Sequence, residues 1–272
     1  METHTVALVL GAGGRVGGRF IGGALDELGR ATGWRAEWAD TVVGTSIGAI
    51  VGSRLDTAAA DAAAVAALAE LAEPVAPRVI DRPVAAARNL GGRLVAAVTP
   101  SGSRSPDELV PPRGDHPNVW VCSVRHRRPA RRVASLAVAA DPAAEVAASS
   151  AVPGVFTPVS LEGAPHIDGA LWSSTNADRV PAGVDVVVAI APMAGSAMGL
   201  SRLHLAQLRV ELAGRRAVVV VPDAEGRRAG LDGATEAGRR AVRHLVGGGP
   251  RAGQRQPSAV AARTVDRFAE KR

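Results

Sequence analysis

Apolar and polar positions along this chain follow two rhythms in alternation. Thr5–Leu10 is a continuous apolar run rich in Val and Leu, the pattern of a strand buried on both faces of a parallel sheet. Arg19–Arg30 follows at helical spacing, with Phe20, Ala24, Leu25 and Leu28 on one side. Asp40–Val43 is a short second strand that leads into Gly44-Thr45-Ser46-Ile47-Gly48 and a helix over Ile47–Leu55. Strand, glycine loop Gly11–Gly18, helix, strand, glycine turn, helix is the opening of an α/β domain.

The same reading continues to the end of the chain. Thr57–Ala72 is an alanine-rich helix and Val119–Val124 a third strand. Pro142–Ser149 is a helix with Asp141 as N-cap. Thr157–Leu161 and His166–Ile167 flank a Glu162-Gly163 turn and predict a hairpin ending at Asp168-Gly169. Val184–Ile190 and Ala217–Val221 read as buried strands, and Leu203–Leu212 and Ala234–Leu245 as helices. Residues 73–117 break the pattern with many prolines, glycines and arginines and read as an insertion. Inside it Pro83–Val98 is a helix. Val84, Ala87, Leu90, Leu94, Val95 and Val98 fall on one side of it, and Arg82, Asn89 and Arg93 on the other. Such a stripe suits a lid or a helix resting on an anionic membrane, but an ordinary helix packed by its apolar side onto the domain is favoured. Ser101–Pro117 reads as a mobile surface loop. Gly247–Pro257 reads as a flexible linker before a short basic helix, which puts the domain at residues 1–246.

Composition narrows the function classes. With 47% hydrophobic residues in 272, a sizeable core can be buried; with 3% aromatics and no Tyr, it is built from Ala, Val and Leu. The net charge of +6 and the pI near 11 suggest a nucleic-acid partner, but the arginines are scattered apart from Arg125, Arg127, Arg128, Arg131 and Arg132. No aromatic residues are interleaved with them, and no nucleic-acid partner is expected. The single cysteine, Cys122, sits in an apolar run and reads as a small buried hydrophobe. No cofactor or metal is expected. Met1–Thr5 has no basic leader region, and no stretch approaches the roughly 20 apolar residues of a membrane span. The expectation is a soluble cytoplasmic chain whose contact with membranes is peripheral.

Three features carry chemistry. Gly44-x-Ser46-x-Gly48 follows a strand and opens a helix, the context of a nucleophile elbow: the serine stands on a tight turn, and side chains two positions away on either side would collide. A plain glycine-containing turn with an incidental serine is the alternative. Gly11-Ala12-Gly13-Gly14-Arg15-Val16-Gly17-Gly18 lies between a strand and a helix. As a dinucleotide fingerprint it is out of register, because Val16 stands where glycine belongs, and the second strand ends without the acidic residue that would hold a ribose. As a row of backbone N–H groups for an oxyanion it fits beside the serine elbow. Asp168-Gly169-Ala170 puts a carboxylate at a strand end; on its own it reads as a common turn. None of the six histidines sits in a motif. His204 and His244 read as solvated helix positions, and His166 shares the strand face of Asp168 as a bystander.

Taken in order, the glycine loop, G-x-S-x-G, the string Ala148-Ser-Ser-Ala-Val-Pro-Gly-Val-Phe-Thr-Pro-Val159 and Asp168-Gly169-Ala170 resemble the patatin-like phospholipase family over about Val6–Asn176. The resemblance implies a three-layer α/β/α fold with a mostly parallel sheet, and a serine acyl hydrolase acting on lipid or lipid-like esters. It implies a Ser–Asp dyad without histidine, with Ser46 as nucleophile, Asp168 as base and the backbone around Gly13, Gly14 and Arg15 as oxyanion hole. The loop is one residue longer than the family's usual pattern, so the donor pair stays open among those three. Ile47, Val155, Phe156, Leu171 and Trp172 adjoin the motifs as candidates for an acyl groove, with core packing favoured for each. Asn176 follows the Asp-Gly-Ala turn as a candidate brace. Two other readings remain: a conventional α/β-hydrolase with His204 or His244 as base, and a non-catalytic nucleotide- or phosphate-binding module built on Gly11–Gly18.

Overall fold

A computed structural model describes residues 4–109, 114–195 and 200–247. In chain order the elements are β1 (Val6–Leu10), α1 (Gly14–Thr32), β2 (Thr41–Gly44), α2 (Ile47–Gly52), α3 (Ala62–Glu70), β3 (Glu73–Pro74), α4 (Asp81–Val98), β4 (Val119–Arg125) and β5 (Arg131–Ser135). They continue with α5 (Pro142–Ser150), β6 (Val159–Leu161), β7 (Ala164–Asp168), β8 (Val186–Ile190), α6 (Leu200–Glu211), β9 (Arg216–Val220) and α7 (Gly230–Val246). The strands form one sheet in the order β3-β9-β8-β1-β2-β4-β7-β6, with β5 also on β4. The five central strands β9, β8, β1, β2 and β4 are parallel, and the flanking pairings are antiparallel.

The innermost strands β1 and β8 are apolar and buried at every position because both faces are covered. Val6, Leu8 and Leu10 enter one core with Phe20, Ile21 and Leu28 of α1, Leu68 of α3 and Val242 of α7. Ala7 and Val9 enter the other with Leu205 and Leu208 of α6. This is the expected mixed α/β arrangement, with helices on both faces of a central sheet.

Local differences from the sequence reading have physical causes. The loop after β1 ends at Gly13, and Gly14–Gly18 belong to α1. The helix cost of glycine is outweighed by packing: a Cβ at Gly18 would lie 2.9 Å from Ile47 Cγ1 and one at Gly17 would lie 3.3 Å from Pro192 Cβ. The alanine-rich helix is shorter than expected and starts after Asp61, whose carboxylate accepts from Ala63 N and Ala64 N. Residues 101–109 are tied down rather than loose: Gly102 N donates to Phe156 O, Arg104 N to Val155 O and Thr157 N to Arg104 O. The strand β5 was not foreseen, because its first two residues are arginines. They are held by carboxylates: Arg131 bonds Asp178, and Arg132 bonds Glu145 and Glu162. The arginine cluster is thus partly neutralised within the fold. The expected linker and C-terminal helix lie outside the described residues from 248 onward.

One feature of the sheet positions the site. β4 is paired with β5 over Trp120–Val124. Its other edge is shared by two strands: β2 covers Val119–Val121 and β7 covers Ser123–Arg125. β2 runs with β4 and β7 runs against it, so their carboxyl ends meet head to head beside Cys122. There the chain approaches so closely that a Cβ at Gly169 would lie 2.1 Å from the Cys122 carbonyl oxygen. Gly169→Ala is therefore expected to destabilise the fold by about 3 kcal/mol. Urea denaturation measures this, and a loss under ~1 kcal/mol would contradict the close approach.

Candidate active site

Ser46 stands on the turn between β2 and α2 with φ 56 and ψ −123, a left-handed conformation unusual for a residue with a side chain. The flanking glycines let the turn close. A Cβ at Gly44 would lie 2.6 Å from Ala49 Cα, and one at Gly48 would lie 1.9 Å from the Leu10 carbonyl oxygen. The strained peptide is held from outside the motif: Ser46 N donates to Ser149 Oγ at 3.1 Å, and Ser150 Oγ donates to Ser46 O at 3.2 Å. Both serines end α5 and lie inside the string Ala148–Val159, and their role was not read from it. The signal available was two adjacent hydroxyls at a buried helix end.

Ser46 Oγ donates to Asp168 Oδ2 at 2.6 Å, with both residues buried. The second oxygen, Oδ1, accepts from Ala170 N at 2.8 Å. Burial pushes the Asp168 carboxyl up to about 6, against the hydrogen bonds from Ser46 and Ala170 and the more distant charge of Arg88, which lower it. The turn that follows is clasped from two helices. Arg88 of α4 bonds the carbonyls of Ala170, Leu171 and Trp172, and Trp172 O also accepts from Asn89 Nδ2 at 2.9 Å and Gln207 Nε2 at 3.0 Å.

Gly13 is the N-cap of α1, so the N–H groups of Gly14 and Arg15 are the first of that helix and have no partner within it. Gly14 has φ 57, where a side chain is strained, and Gly14 and Arg15 are exposed. Gly11 N donates to Ile190 O and Ala12 N to Ser174 O, which fixes the loop against the end of β8 and the segment after the Asp168 turn. Contact of Gly17 and Gly18 with Ile47 sets the start of α1 beside the serine turn.

Asn176 braces a different place from the one expected. Fully buried at φ 49, it donates from Nδ2 to Thr45 Oγ1 at 3.1 Å and to Ser173 O at 2.8 Å, and accepts from Arg131 Nη1 at 3.1 Å. It thereby ties the residue before Ser46 to the segment that holds the glycine loop. Glu211 supports that segment by accepting from Thr175 Oγ1 and Ala177 N, and desolvation raises its carboxyl above the usual range.

The histidines lie elsewhere. His244 is exposed on α7. His204 is buried rather than solvated; desolvation first, with the charge of Arg88, pushes it down to about 4. His166 bonds its own strand at Ala164 O. None of the six hydrogen-bonds Ser46 or Asp168 among the described residues. Cys122 is buried, and desolvation pushes its thiol up to about 12. No group of three or more His, Cys, Asp or Glu among the described residues is arranged to hold a metal ion.

Of the groove candidates, Phe156 is buried with Arg104 over its ring at 5.6 Å. Leu171 and Trp172 pack on Ala96, Val124 and Ile167, and Arg93 and Arg131 each stand 5.4 Å from the Trp172 ring centroid. Ile47 is partly buried in the core and Val155 is exposed.

The sequence profile described as patatin-like phospholipase matches residues 8–180. This chain belongs to that family. The family is one of lipid acyl hydrolases, which act on lipid substrates. A search of the curated proteins gave no match. Among solved structures, VipD from Legionella pneumophila is similar at 13% identity and a TM-score of 0.44, over 91% of this chain and 67% of that one.

Asn176→Ala removes a buried amide that serves three partners and is expected to cost about 2–3 kcal/mol, read by thermal or urea unfolding. Asp168 binds its proton more tightly folded than unfolded, so its contribution to stability is fully present below the unfolded value and lost as pH rises through about 6. Asp168→Asn is therefore expected to stabilise the fold above that pH by up to about 3 kcal/mol, and the gain should vanish below about pH 4. Urea denaturation across pH measures it; a gain independent of pH would contradict the buried charge.

Proposed function

We propose that this protein hydrolyses carboxylic esters of lipids or lipid-like molecules through a Ser46–Asp168 dyad and an acyl-enzyme. The observation that carries the reading is the direct 2.6 Å hydrogen bond from Ser46 Oγ to Asp168 Oδ2 in a turn that holds the serine at φ 56. Ser46 Oγ attacks the ester carbonyl as its proton passes to Asp168 Oδ2. Collapse of the tetrahedral species returns that proton to the departing alcohol and leaves Ser46 acylated. Water then attacks the acyl group, gives its proton to Asp168, and the acid leaves as Ser46 is regenerated.

A carboxylate is a weak base for a hydroxyl, and desolvation narrows the mismatch by raising Asp168 to about 6. The oxyanion is assigned to backbone N–H groups among Gly13, Gly14 and Arg15. Support comes from the unpartnered first N–H groups of α1, their exposure, and the favourable end of its dipole. Each such donor is worth about 3–4 kcal/mol in a transition state.

A nitrophenyl butyrate assay tests the dyad. Ser46→Ala and Asp168→Ala are expected to lower kcat/KM by a factor on the order of 10⁴ or more. A fluorophosphonate probe should label the wild type and leave Ser46→Ala unlabelled. Because the base must be ionised, kcat/KM should fall about tenfold per pH unit below about 6. Full activity in either variant, or labelling at another residue, would sink the assignment.

A further inference from the structure

The amphipathic helix α4 is mounted the opposite way round from the expectation for a helix packed on a domain. The buried side holds Asp81, Ala85 and Ala96. Arg88 and Asn89 reach from the helix to the turn after Asp168. Gly92 presses on that turn so closely that a Cβ there would lie 1.9 Å from Leu171 O. The apolar stripe points away. Leu90 is 56% exposed, Leu94 58%, Val95 44% and Val98 77%, and Ile80 just before the helix is 61% exposed. At 100° per residue, Ile80, Ala87, Leu90, Leu94 and Val98 fall within an arc of about 80°, nearly opposite the buried side.

Charge selects among possible occupants of this stripe. The one acidic residue of α4, Asp81, is buried, with its carboxylate accepting from Arg78 N and lying 3.8 Å from Arg209. The exposed part of the helix carries Arg82 and Arg93 and no carboxylate. A second copy docked face to face would set arginines against arginines. The chain's own residues 248–272 carry six cationic and two acidic residues, again the same sign. An anionic lipid surface satisfies both the apolar stripe and its basic flank. A helix of 18 residues is about 27 Å long and lies in the interface plane with its apolar side among the acyl chains. No helix among the described residues is long and apolar enough to cross a membrane, so contact by α4 is contact from one side.

We infer that α4 is the membrane-docking surface of this protein, seating the Ile80–Val98 stripe in an anionic bilayer. The inference rests on the lipid-hydrolase reading for its biological sense. It adds that the docked helix is the one whose other side clasps the Ala170–Trp172 turn that follows Asp168.

Flotation of the full chain with vesicles tests it. Phosphatidylcholine vesicles are compared with vesicles that also contain phosphatidylglycerol, at low and high salt, with nitrophenyl butyrate hydrolysis as a soluble control. Wild type and Ser46→Ala should bind the phosphatidylglycerol vesicles alike, with affinity that falls as salt rises. Leu90→Glu/Leu94→Glu should weaken binding about tenfold or more with hydrolysis of the soluble ester unchanged. Should that variant fail to fold, Val98→Glu, at a more exposed position, carries the same test. Undiminished binding in the stripe variants, indifference to headgroup charge, or a wild-type dimer dissociated by the stripe substitutions would overturn the proposal. Ester hydrolysis that persists in Ser46→Ala would overturn the dyad instead and leave the vesicle result standing.

Discussion

The edge of β4 that accommodates β2 and β7 end to end is the constraint on which the site depends. A serine on a strained turn and a carboxylate at the end of a hairpin have no local reason to meet. They meet because both strands exhaust the same row of β4 hydrogen-bonding groups from opposite directions, with Gly44 level with Val121 and Asp168 level with Ser123. Gly169 permits the close passage over Cys122, and the head-to-head junction then delivers Ser46 Oγ to Asp168 Oδ2. The desolvation that raises the Asp168 carboxyl has the same origin, since the junction lies inside the domain rather than at its rim.

Around this junction lies an interlock of polar side chains. Ser149 and Ser150 hold the Ser46 peptide from α5, and Asn176 holds Thr45. The segment Ser173–Asn176 also receives Ala12 N from the glycine loop. Arg88, Asn89 and Gln207 bind the turn in front of it. Buried polar groups are costly unless they are paired, so these partners support one another. A lost member leaves orphans on several elements at once.

The parts of this arrangement legible in the sequence are those with a local steric cause. The apolar runs of the central strands follow from burial on two faces, and Gly44 and Gly48 are demanded by a turn that leaves no room for a Cβ. Asp168 had no such local mark, because its meaning lies in sheet order, and only the resemblance carried by Ala148–Val159 singled it out. Ser149, Ser150 and Arg88 were missed for the same reason: each acts on backbone far away in sequence. Gly14–Gly18 looked like a loop by composition and is a helix through its contacts with Ile47 and Pro192. For α4 the spacing identified which residues share a side. It contained nothing about which side meets the protein, and the polar side does, drawn by the carbonyls of the 170–172 turn.

Ser46 and Asp168 are separated by 122 positions in the chain. During synthesis from the amino terminus, the serine turn and the glycine loop emerge long before the hairpin that supplies the carboxylate. A nascent chain ending anywhere before β7 therefore displays a hydroxyl with no proton acceptor. A contact of such sequence separation raises the contact order of the fold, which slows folding as a whole. If Ser46 and Asp168 act as the proposed dyad, that dyad is complete only once β7 has joined the sheet.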